Sequence, residues 1–229
     1  MGNFIDRMVF PIQTPVNCSD EIRYIDNSGI EIIHIENGKR VIIFSHGNGC
    51  TLDSSIEFLT GLSNHAGCSI VSYEYPDNAD ESSVYKRIEN VYEYVTKYYD
   101  IENIILMGHS IGSCPSVWLA SRITLLAIVL IAPITSVRTQ AADFVPFCGS
   151  CFAMIIKERF NNLAHIKHIN SPLLIFHGED DEVVNYLRSK QLGLMYGKDY
   201  TLSIHKAKNH NNILDYQLIG TELCEFLSQ

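Results

Sequence analysis

Positive charge is scarce in this sequence: 17 Lys and Arg face 26 Asp and Glu, a formal net charge of −9. Phosphate backbones are bound through clustered cations, so nucleic acid is excluded as an expected partner, and the balance offers no attraction to an anionic membrane surface. Long hydrophobic runs are also missing. The longest, residues 125–133 and 144–156, fall short of the ~18 to 20 residues that a bilayer-spanning helix requires. Met1 to Arg7 lead into no apolar core of a secretory signal, and the myristoylation pattern fails at Asp6, where Ser or Thr is needed. Dense cysteine spacing is absent: the seven cysteines are odd in number and scattered from Cys18 to Cys224, so a reducing, cytoplasmic setting is expected rather than a disulfide-stapled module. There is no internal repeat or low-complexity tract.

What remains is a chain of 229 residues, 46% hydrophobic and 19% charged, the composition of a compact globular protein. One domain over residues 1–229 is expected, because open α/β sheets commonly need about 200 to 250 residues. Ile22 to Ile25 and Ile30 to Ile35 alternate around Asn27-Ser28-Gly29, which predicts an antiparallel hairpin over about residues 20–36. The rhythm then changes. Val41 to Phe44, Ser69 to Tyr73, Ile104 to Met107, Ala127 to Ile131 and Leu173 to Phe176 are continuous apolar runs, the pattern of parallel strands buried on both faces. Thr201 to His205 reads as a last strand. Between the strands lie helix-sized stretches, the clearest with Val84, Ile88, Val91 and Val95 on one face from about Ser83 to Tyr98, and a final helix is predicted over Ile213 to Leu227. The series predicts a mostly parallel, doubly wound α/β sheet over about residues 41–227, behind an antiparallel start. Too few residues separate the Ile131 and Leu173 strands for a large cap domain.

The strongest chemical feature is Gly108-His109-Ser110-Ile111-Gly112, directly behind an apolar strand and ahead of a helix-compatible run from Ser113 to Arg122. In a G-x-S-x-G turn the serine is exposed at the top of the sheet, and the flanking glycines let strand and helix pass closely. A hydroxyl is a poor nucleophile, so Ser110 demands a base and a group to orient that base. The Leu173 strand ends in the carboxylate-rich Gly178-Glu179-Asp180-Asp181-Glu182, and after the last strand comes Asn209-His210-Asn211. The order serine, acid, histidine is that of the α/β hydrolases. Asp181 is favoured and Asp180 is the alternate, since the turn must leave the strand at Gly178 before a side chain can swing back. The main-chain N–H groups of Asn48, in the turn Ser45-His46-Gly47-Asn48-Gly49, and of Ile111 are the candidate oxyanion donors. His46 reads as a brace for that turn.

Across residues 41–227 the chain resembles an α/β hydrolase, and more closely the alpha/beta hydrolase domain-containing 17 group of serine hydrolases. Phe44 to Asn48, Gly108 to Ser113, Leu119 to Arg122, Val129 to Ser136, Ser171 to Val183 and Asn209 to Asn211 carry the likeness. It places the family's acid on Asp181 and its base on His210. Members of that group remove palmitate from cysteines of membrane-bound proteins, so the resemblance implies a palmitoyl-protein thioesterase acting on S-acylated proteins at a membrane surface. The chain departs from the animal members in one place: their N-terminal cysteine cluster is reduced to Cys18, which leaves recruitment to a membrane open.

Neither metal nor organic cofactor is required by this reading. Cys148-Gly149-Ser150-Cys151 imitates a papain-type signature, but 78 residues follow Cys151 where about 130 to 150 are needed before the histidine. The same segment lacks a second pair for zinc, and His165-x-x-His168 lacks further ligands. An open site with Phe144, Val145, Phe147 and Phe152 as its apolar wall is expected to suit a long acyl chain. Two alternatives stand beside this reading. One is a general carboxylesterase, lipase or serine peptidase with the same triad; the other is a catalytically silent interaction module, which would be expected to have lost Ser110, Asp181 or His210.

Overall fold

The computed structural model describes residues 22–25, 29–77, 79–143 and 158–229. Eight strands form one sheet: β1 (Ile22–Ile25), β2 (Ile30–Ile35), β3 (Val41–Ser45), β4 (Ser69–Tyr73), β5 (Ile104–His109), β6 (Ala127–Ile131), β7 (Leu173–Gly178) and β8 (Thr201–His205). Their spatial order is β1-β2-β4-β3-β5-β6-β7-β8. β2 is antiparallel to both β1 and β4, and every other neighbouring pair is parallel. The sheet is therefore mostly parallel with an antiparallel start, as the two rhythms of the sequence predict.

Continuous apolar runs make β3 to β7 because each of these strands is covered on both faces, and every residue in them is buried. Alternation along a strand sends Val41 and Ile43 to one core and Ile42 and Phe44 to the other. Helices α2 (Glu81–Val95), α3 (Ser113–Ala120) and α6 (Leu187–Tyr196) contribute to the first core, and α1 (Leu52–Ala66) and α7 (Tyr216–Phe226) to the second. β8 pairs on one side only, with β7, and is half-buried throughout. No described helix is long and apolar enough to cross a membrane.

Two helix starts differ from the periodicity, and capping explains both. Asp80 accepts the Ser83 N–H while the Ser83 hydroxyl accepts the Asp80 N–H, so α2 begins at Glu81 and Ser83 is its third residue rather than its first. Asp215 accepts the N–H groups of Gln217 and Leu218, so α7 starts at Tyr216; Ile213 is buried in the core but precedes the helix. Between β6 and β7 run α4 (Val137–Asp143) and α5 (Asn162–Ile166). That 132–172 segment is too short for a large cap domain.

Because β5, β7 and β8 are parallel, their carboxyl ends open onto the same edge of the sheet. This is the edge where open α/β sheets gather their ligands.

Candidate active site

Ser110 follows the last residue of β5 and carries φ of 54°, the left-handed region that side-chain-bearing residues avoid. A one-turn 3-10 helix (Ser110–Gly112) then leads into α3. The turn is possible because its glycines leave space: a Cβ on Gly112 would lie 2.1 Å from the Ser45 carbonyl oxygen, and one on Gly108 2.4 Å from the Gly112 oxygen. Neither position has room for a larger residue. The result is a serine that is 8% exposed, with its hydroxyl facing His210.

His210 sits in a turn that its asparagines build. Asn209 Oδ1 accepts the N–H groups of Asn211 and Asn212, and Asn212 Oδ1 accepts the Asn209 N–H, so the Asn-His-Asn-Asn run holds its own shape. Two backbone bonds fasten the acidic turn to this region: Glu179 N–H donates to His205 O at 2.9 Å and Asp180 N–H to Lys208 O at 3.1 Å. A Cβ on Gly178 would lie 2.1 Å from the same Lys208 oxygen, which fixes how closely the two turns meet.

The structure thereby lines up three side chains. The Ser110 hydroxyl lies 3.0 Å from His210 Nε2, and His210 Nδ1–H donates to Asp181 Oδ2 at 2.7 Å. Asp181, not Asp180, meets the histidine; Asp180 is exposed and tied into the turn through its main chain. Asp181 Oδ1 accepts the N–H groups of Val183 and Val184, both at 2.8 Å. Burial alone would raise the Asp181 carboxyl, but hydrogen bonds from His177, His210 and the Val184 N–H outweigh it and hold the group well below the usual carboxylate range. The arrangement can move a proton from Ser110 to His210 while a permanent negative charge stabilises the imidazolium.

The turn after β3 closes against the serine, where a Cβ on Gly47 would lie 3.5 Å from Ser110 Cβ. The Gly47 carbonyl accepts the Cys50 N–H at 3.3 Å and His46 Nδ1–H at 3.0 Å. In a trans peptide unit the Asn48 N–H points the opposite way from that carbonyl. Tyr75 donates its hydroxyl to His46 O at 2.7 Å, and Glu74 Oε1 accepts the Leu52 N–H at 2.6 Å, so the two residues after β4 brace this turn and the start of α1 together. The Ile111 N–H lies at the first turn after the serine, where helical N–H groups lack intrahelical acceptors. Phe144, Val145, Phe147 and Phe152, and the Cys148–Cys151 segment with them, lie outside the described residues. His165 packs edge-on against Tyr85, and no group of three or more His, Cys, Asp or Glu suited to a metal ion occurs among the described residues.

Two histidines beside the row have no signature in the sequence. His177 reaches Asp181 from β7. His109, the residue before the serine, donates Nε2–H to the His210 carbonyl at 3.1 Å and is buried. Burial first, and then the nearby His210 imidazole, lowers His109 to about 3. In the unfolded chain a histidine takes its proton near pH 6.5. The unfolded state thus binds the extra proton across that window, so this contribution to stability is whole above about pH 6.5 and declines as the pH falls toward 3. Urea unfolding at pH 7 and at pH 5 should show the loss, at a slope of about 1.4 kcal/mol per pH unit once below pH 6. His109→Gln keeps a donor for the His210 carbonyl yet cannot be protonated, and should remove that part of the slope; half-buried His165, also lowered by burial, remains in both proteins. An unchanged slope would show that His109 is not the group responsible.

The family model described as serine hydrolase (FSH1) matches residues 52–210. Human alpha/beta hydrolase domain-containing protein 17B is 32% identical over 202 residues, which span 84% of this chain and 68% of that protein. The Xenopus tropicalis protein of the same name is 35% identical over the same coverage, and aho-3 of Caenorhabditis elegans is 33% identical over 66% of this chain and 46% of its own. Among solved structures, Est1E from Butyrivibrio proteoclasticus superposes with a TM-score of 0.71 at 19% identity, covering 91% of this chain and 98% of that one. An esterase from Pyrococcus furiosus gives 0.72 at 13% identity over 96% of each chain. These two likenesses establish the α/β-hydrolase fold. The chain belongs to the serine hydrolase (FSH1) family and is kin to the alpha/beta hydrolase domain-containing protein 17 group.

Proposed function

We propose that this serine hydrolase cleaves acyl thioesters, palmitoyl-cysteine of proteins foremost, with Ser110, His210 and Asp181 as its catalytic triad. The observation that carries the reading is the hydrogen-bonded row from the Ser110 hydroxyl through His210 to Asp181. Ser110 Oγ attacks the acyl carbonyl as its proton passes to His210 Nε2, and the Asn48 and Ile111 N–H groups receive the developing oxyanion, an interaction worth about 3 kcal/mol per donor. The carbon–sulfur bond then breaks, and the departing thiolate takes the proton from His210 to leave as the thiol. Water, deprotonated by the same imidazole, attacks the acyl-serine, releases the fatty acid and restores the hydroxyl. Acyl donor and water balance the reaction, so neither metal nor organic cofactor enters.

The kinship with the domain-containing 17 group favours a long-chain thioester, and the short 132–172 segment favours an open site. Among the described residues Cys68, Cys114 and Cys224 are free thiols, which fits work in a reducing compartment, at the surface of a membrane rather than within it. A second reading rests on the solved neighbours, which are named as esterases: the same row would hydrolyse simple carboxylic esters.

A panel of acyl thioesters, acyl esters and peptide amides of graded chain length separates the two. For the thioesterase, kcat/KM should climb with acyl length, by up to about fourfold for each methylene buried in the bound state. A preference for short esters would overturn depalmitoylation and leave the esterase. Absence of labelling of the folded wild type by a fluorophosphonate would overturn both.

A further inference from the structure

We infer that His177 is a positioning residue for the acid of this site, acting through Asp181 as a second imidazole donor to the oxygen that His210 uses. The inference rests on the triad reading. His177 is the fifth residue of β7, wholly buried, and its two nitrogens are both engaged. Nδ1 lies 2.6 Å from the Ser189 hydroxyl on α6, and Nε2 lies 2.9 Å from the Val184 carbonyl and 3.2 Å from Asp181 Oδ2. Both partners of Nε2 are acceptors, so Nε2 carries the proton; Nδ1 is then free to accept from Ser189.

The carboxylate therefore meets a donor at four points. Oδ1 takes the Val183 and Val184 N–H groups, and Oδ2 takes the His210 Nδ1–H and a share of the His177 Nε2–H, which also points to the nearer Val184 carbonyl. Two consequences follow. The side chain cannot rotate without breaking several bonds at once, which keeps Oδ2 aimed at His210 Nδ1. The charge on Oδ2 is also divided between two donors rather than left to one imidazole. The titratable groups touching Asp181 are His177 from β7 and His210 from the turn after β8, with His109 of β5 behind His210; the paired Asp143 of α4 and Arg188 of α6 line the cavity beside it. Glu179, Asp180 and Glu182 of the same turn are exposed to solvent.

The test is the pH profile of kcat/KM, measured on protein whose fluorophosphonate labelling is already known to vanish in Ser110→Ala. If Ser110→Ala or His210→Ala kept full activity, the triad reading itself would fall, whatever His177 does. His177→Leu removes the donor, so the acid limb, which reports His210, should move up by about half to one pH unit, and the plateau should drop about tenfold as Asp181 loses its anchor. His177→Gln restores an N–H donor and should bring the limb back toward wild type. A role confined to packing would reduce the labelled fraction and leave the limb where it was. Should His177→Leu not fold, Ser189→Ala takes its place: the unsupported imidazole becomes a weaker donor, and a smaller upward displacement is expected. A limb that coincides with wild type in the folded Leu variant, or in Ser189→Ala where that variant is used, overturns the inference. So does a Gln variant displaced as far as Leu.

Discussion

Ser110→Ala is expected to lower kcat/KM by about 10⁴- to 10⁶-fold and to abolish fluorophosphonate labelling, with little change in the unfolding midpoint. The contrast between activity and stability is the informative part. The substitution removes one oxygen and leaves Cβ in place, so the left-handed backbone at residue 110 is no more strained in alanine than in serine. The oxygen lost makes one hydrogen bond, to His210 Nε2, at a position that is 8% exposed and can admit water in its place. His210 keeps its other ties, Nδ1 to Asp181 and its carbonyl to His109. Residual turnover above about one hundredth of wild type, in protein shown free of wild-type contamination, would remove Ser110 as the nucleophile.

Asp181→Asn is expected to lower kcat by about 10⁴-fold, while Asp180→Asn stays within about twofold of wild type. An amide has the size of a carboxylate but brings two N–H donors where one oxygen was. Around Asp181 every neighbour is itself a donor: two main-chain N–H groups on one side and two imidazoles on the other. Asparagine can satisfy one pair with its oxygen only by turning its NH₂ against the other pair, so either the acidic turn loosens or His210 is driven into the wrong tautomer. Asp180 has no such setting, since it is exposed and held by its own N–H to Lys208 O. Steady-state rates with one activated ester across both variants decide the matter. A larger loss from Asp180→Asn would move the acid by one residue.

That single-residue choice marks how far the sequence can be read. The buried strands were legible because covering a sheet on both faces demands unbroken apolar runs, and Val41 to Phe44 or Leu173 to Phe176 are too short for a buried helix. The serine was legible because a strand running into Gly-x-Ser-x-Gly requires both glycines for steric reasons that the structure shows at Gly108 and Gly112. Strand order was not legible. Nothing in Ile30 to Ile35 says that this strand pairs with β4 as well as β1, since partners across a sheet depend on the path of the connecting chain. Among four adjacent carboxylates the turn after Gly178 favours Asp181 over Asp180, but what holds it, the Val183 and Val184 N–H groups, is visible only in the fold. His177 resembles any strand histidine, because its meaning lies in Ser189 and Asp181 folding around it. His109 is harder still, for its partner is the backbone of a residue 101 positions away.

The conformation of Ser110 has a thermodynamic side. With φ at 54°, glycine would be the more comfortable residue there, by the margin that separates a side-chain-bearing residue from glycine in the left-handed region, about 1 kcal/mol. Stability and reactivity thus pull in opposite directions at this position: the substitution that best relaxes the backbone also discards the hydroxyl. Ala132, directly after β6, Phe160 and Ala207 share the left-handed backbone, so what sets Ser110 apart is that its strained position carries a hydroxyl held against His210.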